Sequence, residues 1–302
     1  DKTNNERFAW DAYRRFIQMF GNVAMGLELD VFEDILSDLK KKKKVEDDTE
    51  LSGGDLKVLV DLYKKAYKKE LKKNFPQDPM DQLRASIDAV FGSWNNPKAI
   101  KYRKLNDIQN LVGTAVNVQS MVYGNFGDDS GTGVCFSRDP STGKNVFYGE
   151  FLMNAQGEDV VAGIRTPLKI EGLKKINKQA YDELVSLKDM LESHYSDMQD
   201  MEFTIEQEKL FILQTRNGKR TGAAAVKCAV DMVAEKMITK NQAVMRVTPD
   251  QLDQLFHPMI DPKFRKDLSA LAKGLNASPG AASGQIVFSA DDAEAWVKDG
   301  KK

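Results

Sequence analysis

The stretch that decides the fold of this chain is residues 200–216, which read Asp-Met-Glu-Phe-Thr-Ile-Glu-Gln-Glu-Lys-Leu-Phe-Ile-Leu-Gln-Thr-Arg. Apolar and polar residues alternate along it, a charged turn interrupts the pattern, and the alternation then resumes. Because successive side chains of a β-strand point to opposite faces, this pattern predicts a two-stranded hairpin.

Both strands of the predicted hairpin bring polar groups to one face. On the first strand, Asp200 and Glu202 point away from the apolar side chains. On the second strand, strict alternation groups Ile212, Gln214 and Arg216 on one face. We expect the apolar faces of the two strands to coincide, which gathers two carboxylates, an amide and a guanidinium on one small patch of sheet.

The residue types on this patch suit a metal-bound phosphate ligand. Carboxylate and amide oxygens are ligands that Mg²⁺ prefers, and Mg²⁺ is usually bound together with nucleotide phosphates. The arginine is a forked donor for phosphate oxygens. The hairpin therefore indicates a site for a metal-bound nucleotide, and a surface hairpin with a solvated polar face is the alternative.

A glycine-rich run over residues 116–136 is the second feature. It reads as a strand, a loop and a second strand. The loop is rich in glycines and hydroxyls, which are Gly124, Gly127, Ser130, Gly131, Thr132 and Gly133. Glycine lets the backbone approach a ligand closely, and consecutive N–H groups of such a loop can bind an anion. The run has neither a P-loop motif nor a dinucleotide fingerprint, so an ordinary turn is the alternative.

The chain resembles the nucleotide-binding part of the pyruvate, phosphate dikinase family. The resemblance is carried by the glycine loop, by residues 149–159 (Gly-Glu-Phe-Leu-Met-Asn-Ala-Gln-Gly-Glu-Asp) and by the hairpin with its continuation to Thr221. It extends from residues 7–20 to residues 275–288 and so covers almost the whole chain. It implies an α+β fold of the ATP-grasp type, here incomplete and with a helical insertion.

The resemblance also implies a reaction. Members of the family interconvert ATP, pyruvate and phosphate with AMP, phosphoenolpyruvate and pyrophosphate, and Mg²⁺ is the implied cofactor. This part of the protein would transfer the β-phosphoryl group of ATP to a histidine on a separate, swivelling phosphohistidine domain of the same polypeptide. The full-length protein is implied to be a homodimer.

The resemblance assigns roles to particular residues. Asp200, Glu202 and Gln214 match ligands of the metal and the phosphates, and Arg216 matches an arginine that stabilises charge on the transferred group. These four are the implied catalytic residues. The implied nucleotide-binding residues are Arg14, Gln119, Met121, Val122, Gly131, Thr132, Gly133, Glu158 and Asp159.

The implied nucleotide-binding residues come from four places in the chain. Residues 131–133 would form the glycine loop over the phosphates, and residues 119–122 a hinge strand against the adenine edge. Glu158 and Asp159 would face the nucleotide near its ribose. Arg14, on the first helix, would lie on the phosphate side.

The hydrophobic period, together with what the resemblance implies, divides the chain into four segments. They are a helical subdomain (1–112), a β-rich ATP-grasp subdomain (113–221), a helical linker (222–274) and the start of a phosphohistidine domain (275–302). Within them we expect helices over 7–20 (ended by Gly21), 27–43, 55–75, 78–94, 98–107, 178–198, 222–271 and 290–298, and a strand over 284–288. Asp78 followed by Pro79 predicts a helix start.

Several features of the family are not found in these 302 residues. The family's phosphate-binding Gly-Gly-Lys and Val-Arg-Ser motifs do not occur, and neither does the segment that carries the phosphorylated histidine. The two histidines, His194 and His257, lack its sequence context. We therefore expect this chain to be a fragment with no turnover of its own.

Two other functions are alternatives. Pyruvate, water dikinase (phosphoenolpyruvate synthase) shares the domain, but it typically has proline directly after the arginine that Arg216 matches, where this chain has Asn217. A non-catalytic interaction module, in which the polar hairpin face and the long helices bind a protein, is the second alternative.

Composition excludes some classes of protein. Hydrophobic residues make up 41% and charged residues 29% of the chain, and the formal net charge of −1 gives no sign of nucleic-acid binding. No apolar run is long enough to predict a membrane span. Cys135 and Cys228 show no metal or redox spacing, which is typical of a reducing compartment. We expect a cytoplasmic protein, with an organelle as the other location.

Overall fold

The structure is a computed structural model that describes residues 3–105, 108–161, 165–256, 260–261, 263, 269, 281 and 283–301. The chain divides into two compact units, residues 1–121 and residues 122–302.

The first unit is helical. Its helices are α1 (Glu6–Met19), which continues into a π-helical segment (Phe20–Ala24), α2 (Asp30–Lys43), α3 (Gly53–Leu71), α4 (Pro79–Ser93) and α5 (Pro97–Leu105). Asp78 caps α4 by accepting hydrogen bonds from the backbone N–H groups of Met80 and Asp81, with Pro79 at the first position, as predicted. Ser52 and Asp55 form a capping box at the start of α3.

The core of this unit lies between α1, α2 and α3. Its fully buried residues are Ile17, Phe20, Phe32, Leu36, Leu39, Leu51, Leu56, Leu59, Val60, Tyr63, Tyr67 and Phe75. The ring of Phe75 packs edge-on against Phe20 and Tyr67, at centroid distances of 5.4 and 5.2 Å. Such edge-to-face aromatic pairs add stability beyond the area that they bury.

The predicted end of α1 at Gly21 is wrong. Gly21 is buried inside the π-helical segment, where an added Cβ would stand 2.6 Å from the ring of Phe32. The glycine is therefore required for close packing. The turn comes at Gly26, which has a φ of +73°, a value that side chains other than glycine rarely adopt.

The second unit is built on a five-stranded antiparallel sheet. Its strands are β1 (Gly131–Phe136), β2 (Tyr148–Met153), β3 (Leu168–Lys169), β4 (Gln199–Glu206) and β5 (Lys209–Asn217), in the order β3-β2-β1-β4-β5. The helices are α6 (Gly157–Val161), α7 (Leu173–Ile176), α8 (Lys178–Tyr195), α9 (Gly222–Ala234), α10 (Lys240–Arg246), α11 (Pro249–Asp253) and α12 (Ala290–Lys298).

One face of the sheet packs against α7 and α8. The buried residues of this core are Cys135, Phe151, Ile170, Leu173, Ala180, Leu184, Met201, Phe203, Ile205 and Leu210. A smaller core joins the sheet to α9 through Met198, Cys228, Met232 and Ile238. The sheet thus has one face that is fully covered, and its opposite face carries the polar residues of the hairpin.

Two predictions about the glycine-rich run are wrong. Residues 116–122 form no strand, because a strand needs a hydrogen-bonded neighbour and none of the described strands pairs with them. Residues 131–133 are not a loop: they begin β1, the central strand, which is bonded on one side to β2 and on the other to β4. The actual loop is residues 123–130.

The hairpin of β4 and β5 is confirmed, with one correction. Gln207 and Glu208 form its turn with φ of 49° and 66°, the left-handed pair of a two-residue hairpin turn. A bulge breaks the alternation on β5, because Glu202 pairs with Gln214 whereas Phe203 pairs with Ile212. Ile212 therefore packs on the core face and does not share the face of Gln214.

Some other elements end earlier than predicted or are interrupted. Helix α8 ends at Tyr195, three residues early, because Ser196 adopts the left-handed conformation. The predicted helix 222–271 is broken into α9, α10 and α11, and its last part lies outside the described residues. The predicted strand 284–288 has no strand partner in the described chain, whereas α12 is confirmed.

His194 lies in the last turn of α8, as the sequence predicted a helix there, and His257 lies outside the described residues. Within the described ranges, no helix has both the length and the hydropathy that crossing a membrane requires.

Candidate functional site

The hairpin brings four polar side chains together on the face of the sheet opposite α8. The register pairs Asp200 with Arg216 and Glu202 with Gln214, so all four side chains project from the same face in two adjacent rows. We call this set the hairpin patch. The sequence prediction of its members is confirmed, although the bulge, rather than strict alternation, places Gln214 and Arg216 there.

Ion pairs join the members of the hairpin patch. Arg216 Nε donates to Asp200 Oδ2 at 2.7 Å, and Arg216 Nη2 lies 3.4 Å from Glu202 Oε1. The hydrogen bond to Asp200, with the charges of the two carboxylates, raises the pKa of Arg216. The Asp200 side chain is almost fully buried, whereas the Arg216 side chain is 52% exposed. Asp200 is therefore held in place by its neighbours, and the guanidinium of Arg216 is accessible to solvent.

The donor set of the hairpin patch fits Mg²⁺. It offers two carboxylates and an amide oxygen, the hard oxygen ligands that this cation takes. Among the described residues no cluster of three or more His, Cys, Asp or Glu side chains could hold a metal ion alone. Proteins usually bind Mg²⁺ through one or two carboxylates, and phosphates of the ligand complete the coordination. The patch therefore fits a metal that binds together with a nucleotide.

The structure places Gly131, Thr132 and Gly133 in the floor of the sheet. Thr132 is buried, and its hydroxyl donates to the backbone oxygen of Phe203 at 3.0 Å. An added Cβ at Gly133 would lie 2.5 Å from the Glu150 backbone oxygen. The two glycines therefore allow close packing of the strands next to the hairpin patch. The Thr132 hydroxyl stabilises the sheet through its hydrogen bond to β4.

The loop of residues 123–130 is tied to the turn of the hairpin. The Tyr123 backbone N–H donates to the Glu206 carboxylate at 2.6 Å, and the Gln207 N–H donates to Ser130 Oγ at 2.9 Å. The Glu208 N–H donates to the Asp129 backbone oxygen at 2.9 Å. These contacts hold the glycine-rich loop at the turn end of the hairpin.

The acidic pair Glu158 and Asp159 lies in the first turn of α6, beside the same loop. Asp159 accepts a hydrogen bond from the Gln156 backbone N–H at 2.8 Å. The Gln156 side chain donates to Asn125 Oδ1 in the loop at 2.7 Å. The structure thus brings the loop and the acidic pair together.

Three of the nucleotide-binding candidates belong to the first unit. Gln119 and Met121 are exposed and outside any strand. Arg14 is buried, and its guanidinium donates to Asp11 Oδ1 at 2.8 Å and to Asp48. Val122 begins the second unit and is half-buried. The hairpin patch, residues 123–133 and the acidic pair therefore all belong to the second unit. Arg14, Gln119 and Met121 belong to the first unit.

A buried charge network next to the sheet was missed at the sequence level. Arg138, directly after β1, is fully buried, and its guanidinium donates to Glu192 at 2.8 Å and also to Glu235. The network ties the end of β1 to α8 and α9. The partners are 54 and 97 residues away along the chain, so local sequence gives no signal for the pairing.

Comparison with known proteins agrees with this arrangement. A family model described as the pyruvate phosphate dikinase AMP/ATP-binding domain matches residues 58–177 and 169–237, more than half of the chain. The chain is 54% identical over 299 residues to "Pyruvate, phosphate dikinase 1, chloroplastic" of Arabidopsis thaliana, which covers 99% of this chain and 31% of that protein. It is also 54% identical over 308 residues to "Pyruvate, phosphate dikinase" of Rhizobium meliloti, covering 98% of this chain and 34% of that protein.

The chain thus spans about a third of the length of these relatives. The match with the family model includes the glycine-rich loop, the acidic pair and the whole hairpin patch. The chain therefore belongs to the family of the pyruvate phosphate dikinase AMP/ATP-binding domain.

Proposed function

We propose that this chain is the nucleotide-binding part of a pyruvate, phosphate dikinase. The proposed overall reaction interconverts ATP, pyruvate and phosphate with AMP, phosphoenolpyruvate and pyrophosphate. The observation that carries the proposal is the hairpin patch, in which cross-strand pairing gathers two carboxylates, an amide and an arginine on one face. The family membership supports the same reaction.

The patch suits phosphoryl transfer, which depends mainly on positioning and on neutralising charge. Asp200, Glu202 and Gln214 would hold Mg²⁺, which supplies charge neutralisation at phosphate oxygens when bound. Arg216 would release its carboxylate partners and donate to the transferred group. Its guanidinium is exposed enough to do so without rearrangement of the core.

The remaining residues would position the nucleotide. The loop of residues 123–130 and the acidic pair Glu158 and Asp159 lie together, which supports contacts with the nucleoside end. Gln119, Met121 and Val122 would meet the adenine edge. Arg14 would act on the phosphate side only if its buried ion pairs with Asp11 and Asp48 were exchanged.

The proposed partners follow from the reaction. They are ATP and AMP, phosphate and pyrophosphate, and a histidine on a phosphohistidine domain of the same polypeptide, in a full-length homodimer. A cytoplasmic or organellar location remains part of the proposal. We expect no phosphoenolpyruvate formation by this chain alone, since it spans about a third of its relatives.

Pyruvate, water dikinase is the less favoured reading. The residue after Arg216 is Asn217, which is the last residue of β5 and pairs with Gln199. The Gln199 side chain donates to Asn217 Oδ1 at 3.1 Å, a contact that proline could not make. The resemblance to that sister family therefore fails at a residue with a structural role here.

The test is calorimetric titration of the chain with ATP, with and without Mg²⁺. A Glu202→Ala/Gln214→Ala variant should lose the Mg²⁺-dependent part of the binding. The matched control is Gln179→Ala/Glu183→Ala, which removes the same two side-chain types from the exposed surface of α8. The control should bind as the unsubstituted chain does.

Two results would contradict the proposal. Absence of ATP binding by the unsubstituted chain would favour a non-catalytic interaction module. Equal binding by the patch variant and the control would show that a nucleotide binds but not at the hairpin patch.

A further inference from the structure

The polar face of the sheet continues beyond the hairpin. Glu202 on β4 pairs with Val134 on β1, and Val134 pairs with Glu150 on β2. Glu150 in turn pairs with Lys169 on the edge strand β3. Because directly paired residues project from the same face, Glu150 and Lys169 share the face of the hairpin patch.

Lys169 is an uncommitted cation on this face. It is exposed, and its side chain forms no hydrogen bond or ion pair with the described residues. Two arginines of the unit are engaged, in contrast: Arg220 pairs with Asp197 at 2.8 Å, and Arg165 donates to the Asn154 backbone oxygen at 3.0 Å. Lys169 can therefore contact a ligand without breaking an existing interaction.

The distance across the row suits a polyphosphate. Lys169 and Glu202 are three strands apart, which corresponds to about 14 Å between their Cα atoms. Both side chains are long and project from the same face, so a ligand lying across the row can be reached from both ends. Glu150 lies beside Lys169 in this row, and Val134, a small apolar residue, separates Glu150 from Glu202.

Tyr148 adds a neutral donor beside this row. Burial, with the nearby carboxylates of Glu150, Asp139 and Glu171, raises the pKa of Tyr148 above its ordinary value. The phenol therefore stays protonated near neutral pH. A ligand that lies over Val134 would meet an O–H donor and an ammonium from this side and the guanidinium of Arg216 from the other.

We propose that Lys169 is a further phosphate-binding residue of the nucleotide site, contacting the phosphates beyond the first. The proposal rests on the proposed function, since it needs a nucleotide whose metal lies at the hairpin patch. The nucleoside end would lie at the loop of residues 123–130, so the first phosphate would stay near that loop. Lys169 would therefore distinguish ATP from AMP, which lacks the outer phosphates.

The test compares the unsubstituted chain with Lys169→Gln in titrations with Mg²⁺ and either ATP or AMP. Loss of one charge-assisted contact should weaken ATP binding by about tenfold. Affinity for AMP should change by less than about twofold. The control is Lys175→Gln, which removes the same charge from an exposed position on α7 and should change neither affinity. Equal thermal unfolding midpoints would show that all variants fold alike.

A second measurement follows the Lys169 amine directly. Acylation of lysines, read by mass spectrometry, should show that Mg²⁺ with ATP protects Lys169 and leaves Lys175 reactive, whereas AMP protects neither. Unchanged ATP affinity in Lys169→Gln, or equal loss of ATP and AMP affinity, would overturn this inference while the proposed function stands. No ATP binding by the unsubstituted chain would overturn both.

Discussion

Each of the two units contains an arginine between two carboxylates, but the two arrangements differ in what they can do. In the helical unit, Arg14 lies between Asp11 and Asp48, and its side chain is 5% exposed. In the sheet unit, Arg216 lies between Asp200 and Glu202, and its side chain is 52% exposed. A ligand cannot reach the guanidinium of Arg14 without disturbing the core. The guanidinium of Arg216 can leave its carboxylates and contact a ligand instead.

Burial explains the difference. Two ions in a low-dielectric interior attract each other strongly but have lost their hydration, so removing one leaves an uncompensated buried charge. An exposed ion pair is screened by water and contributes little to stability. Residue types alone do not distinguish an ion pair that supports the fold from one that can exchange partners with a ligand. The exposed fraction of the arginine side chain does distinguish them here.

The largest expected effect is on the buried cluster. Arg14→Ala should lower the free energy of unfolding of the helical unit by up to about 3–5 kcal/mol, because Asp11 and Asp48 then lose the more buried of their two arginine partners and keep only Arg15. Urea denaturation followed by circular dichroism measures this loss. Arg84→Ala, which breaks an exposed pair with Asp81 on α4, should change the free energy by less than about 0.5 kcal/mol.

A loss of similar size for the two variants would contradict the distinction between the units. It would show that the Arg14 cluster is solvated in solution.

The acid dependence of stability is the next effect. Burial acts to raise the pKa of Asp11, but the charges of Arg14 and Arg15 outweigh it and hold that pKa below its usual value. A lowered pKa in the folded state means that the stabilisation is fully present above the unfolded pKa, about 3.9, and is lost as the pH falls through the folded value.

We therefore expect Asp11→Asn to flatten the acid limb of the stability curve of the helical unit. Unfolding midpoints measured between neutral and strongly acidic pH test this. An acid limb that is identical in the variant would show that Asp11 does not contribute to it.

The smallest expected effect on stability is at the exposed pair. Arg216→Ala should lower the free energy of unfolding by less than about 1 kcal/mol. It should also raise the affinity for bare Mn²⁺, a probe for Mg²⁺, by up to about fivefold, because Arg216 no longer competes for Asp200 and Glu202. Electron paramagnetic resonance of free Mn²⁺ measures this binding.

The matched variant for this test is Arg246→Ala. Arg246 lies 3.5 Å from Asp197, away from the hairpin patch, so its loss should leave Mn²⁺ binding unchanged. Weaker Mn²⁺ binding in Arg216→Ala would contradict the view that arginine and metal compete for the same carboxylates.

Much of this arrangement could be predicted from local pattern. Alternation predicted β4 and β5, and it identified Asp200, Glu202, Gln214 and Arg216 as one patch. The bulge on β5 could not be predicted, because it depends on how Phe203 and Ile212 pack in the core. Without the bulge, strict alternation would have kept Ile212 on the face of Gln214.

The glycine-rich run shows the limit of composition. Gly131, Thr132 and Gly133 look like a flexible loop, yet they lie in the central strand, where close backbone approach requires glycine. Glycine is suitable both for a loop and for tight strand packing, so its presence does not distinguish them. The pairing with β2 and β4 decides between them.

The sequence by itself determined the starts of several helices, such as α4 and α8, as well as the hairpin, the members of the hairpin patch and the resemblance to the family, because each depends on residues close together in the chain. The tertiary structure alone decided that Arg14 is buried, that Arg138 joins β1 to α8 and α9, and that Lys169 shares the face of Glu202. Each of these depends on contacts between distant residues, and both burial and cross-strand neighbours arise only when the chain folds.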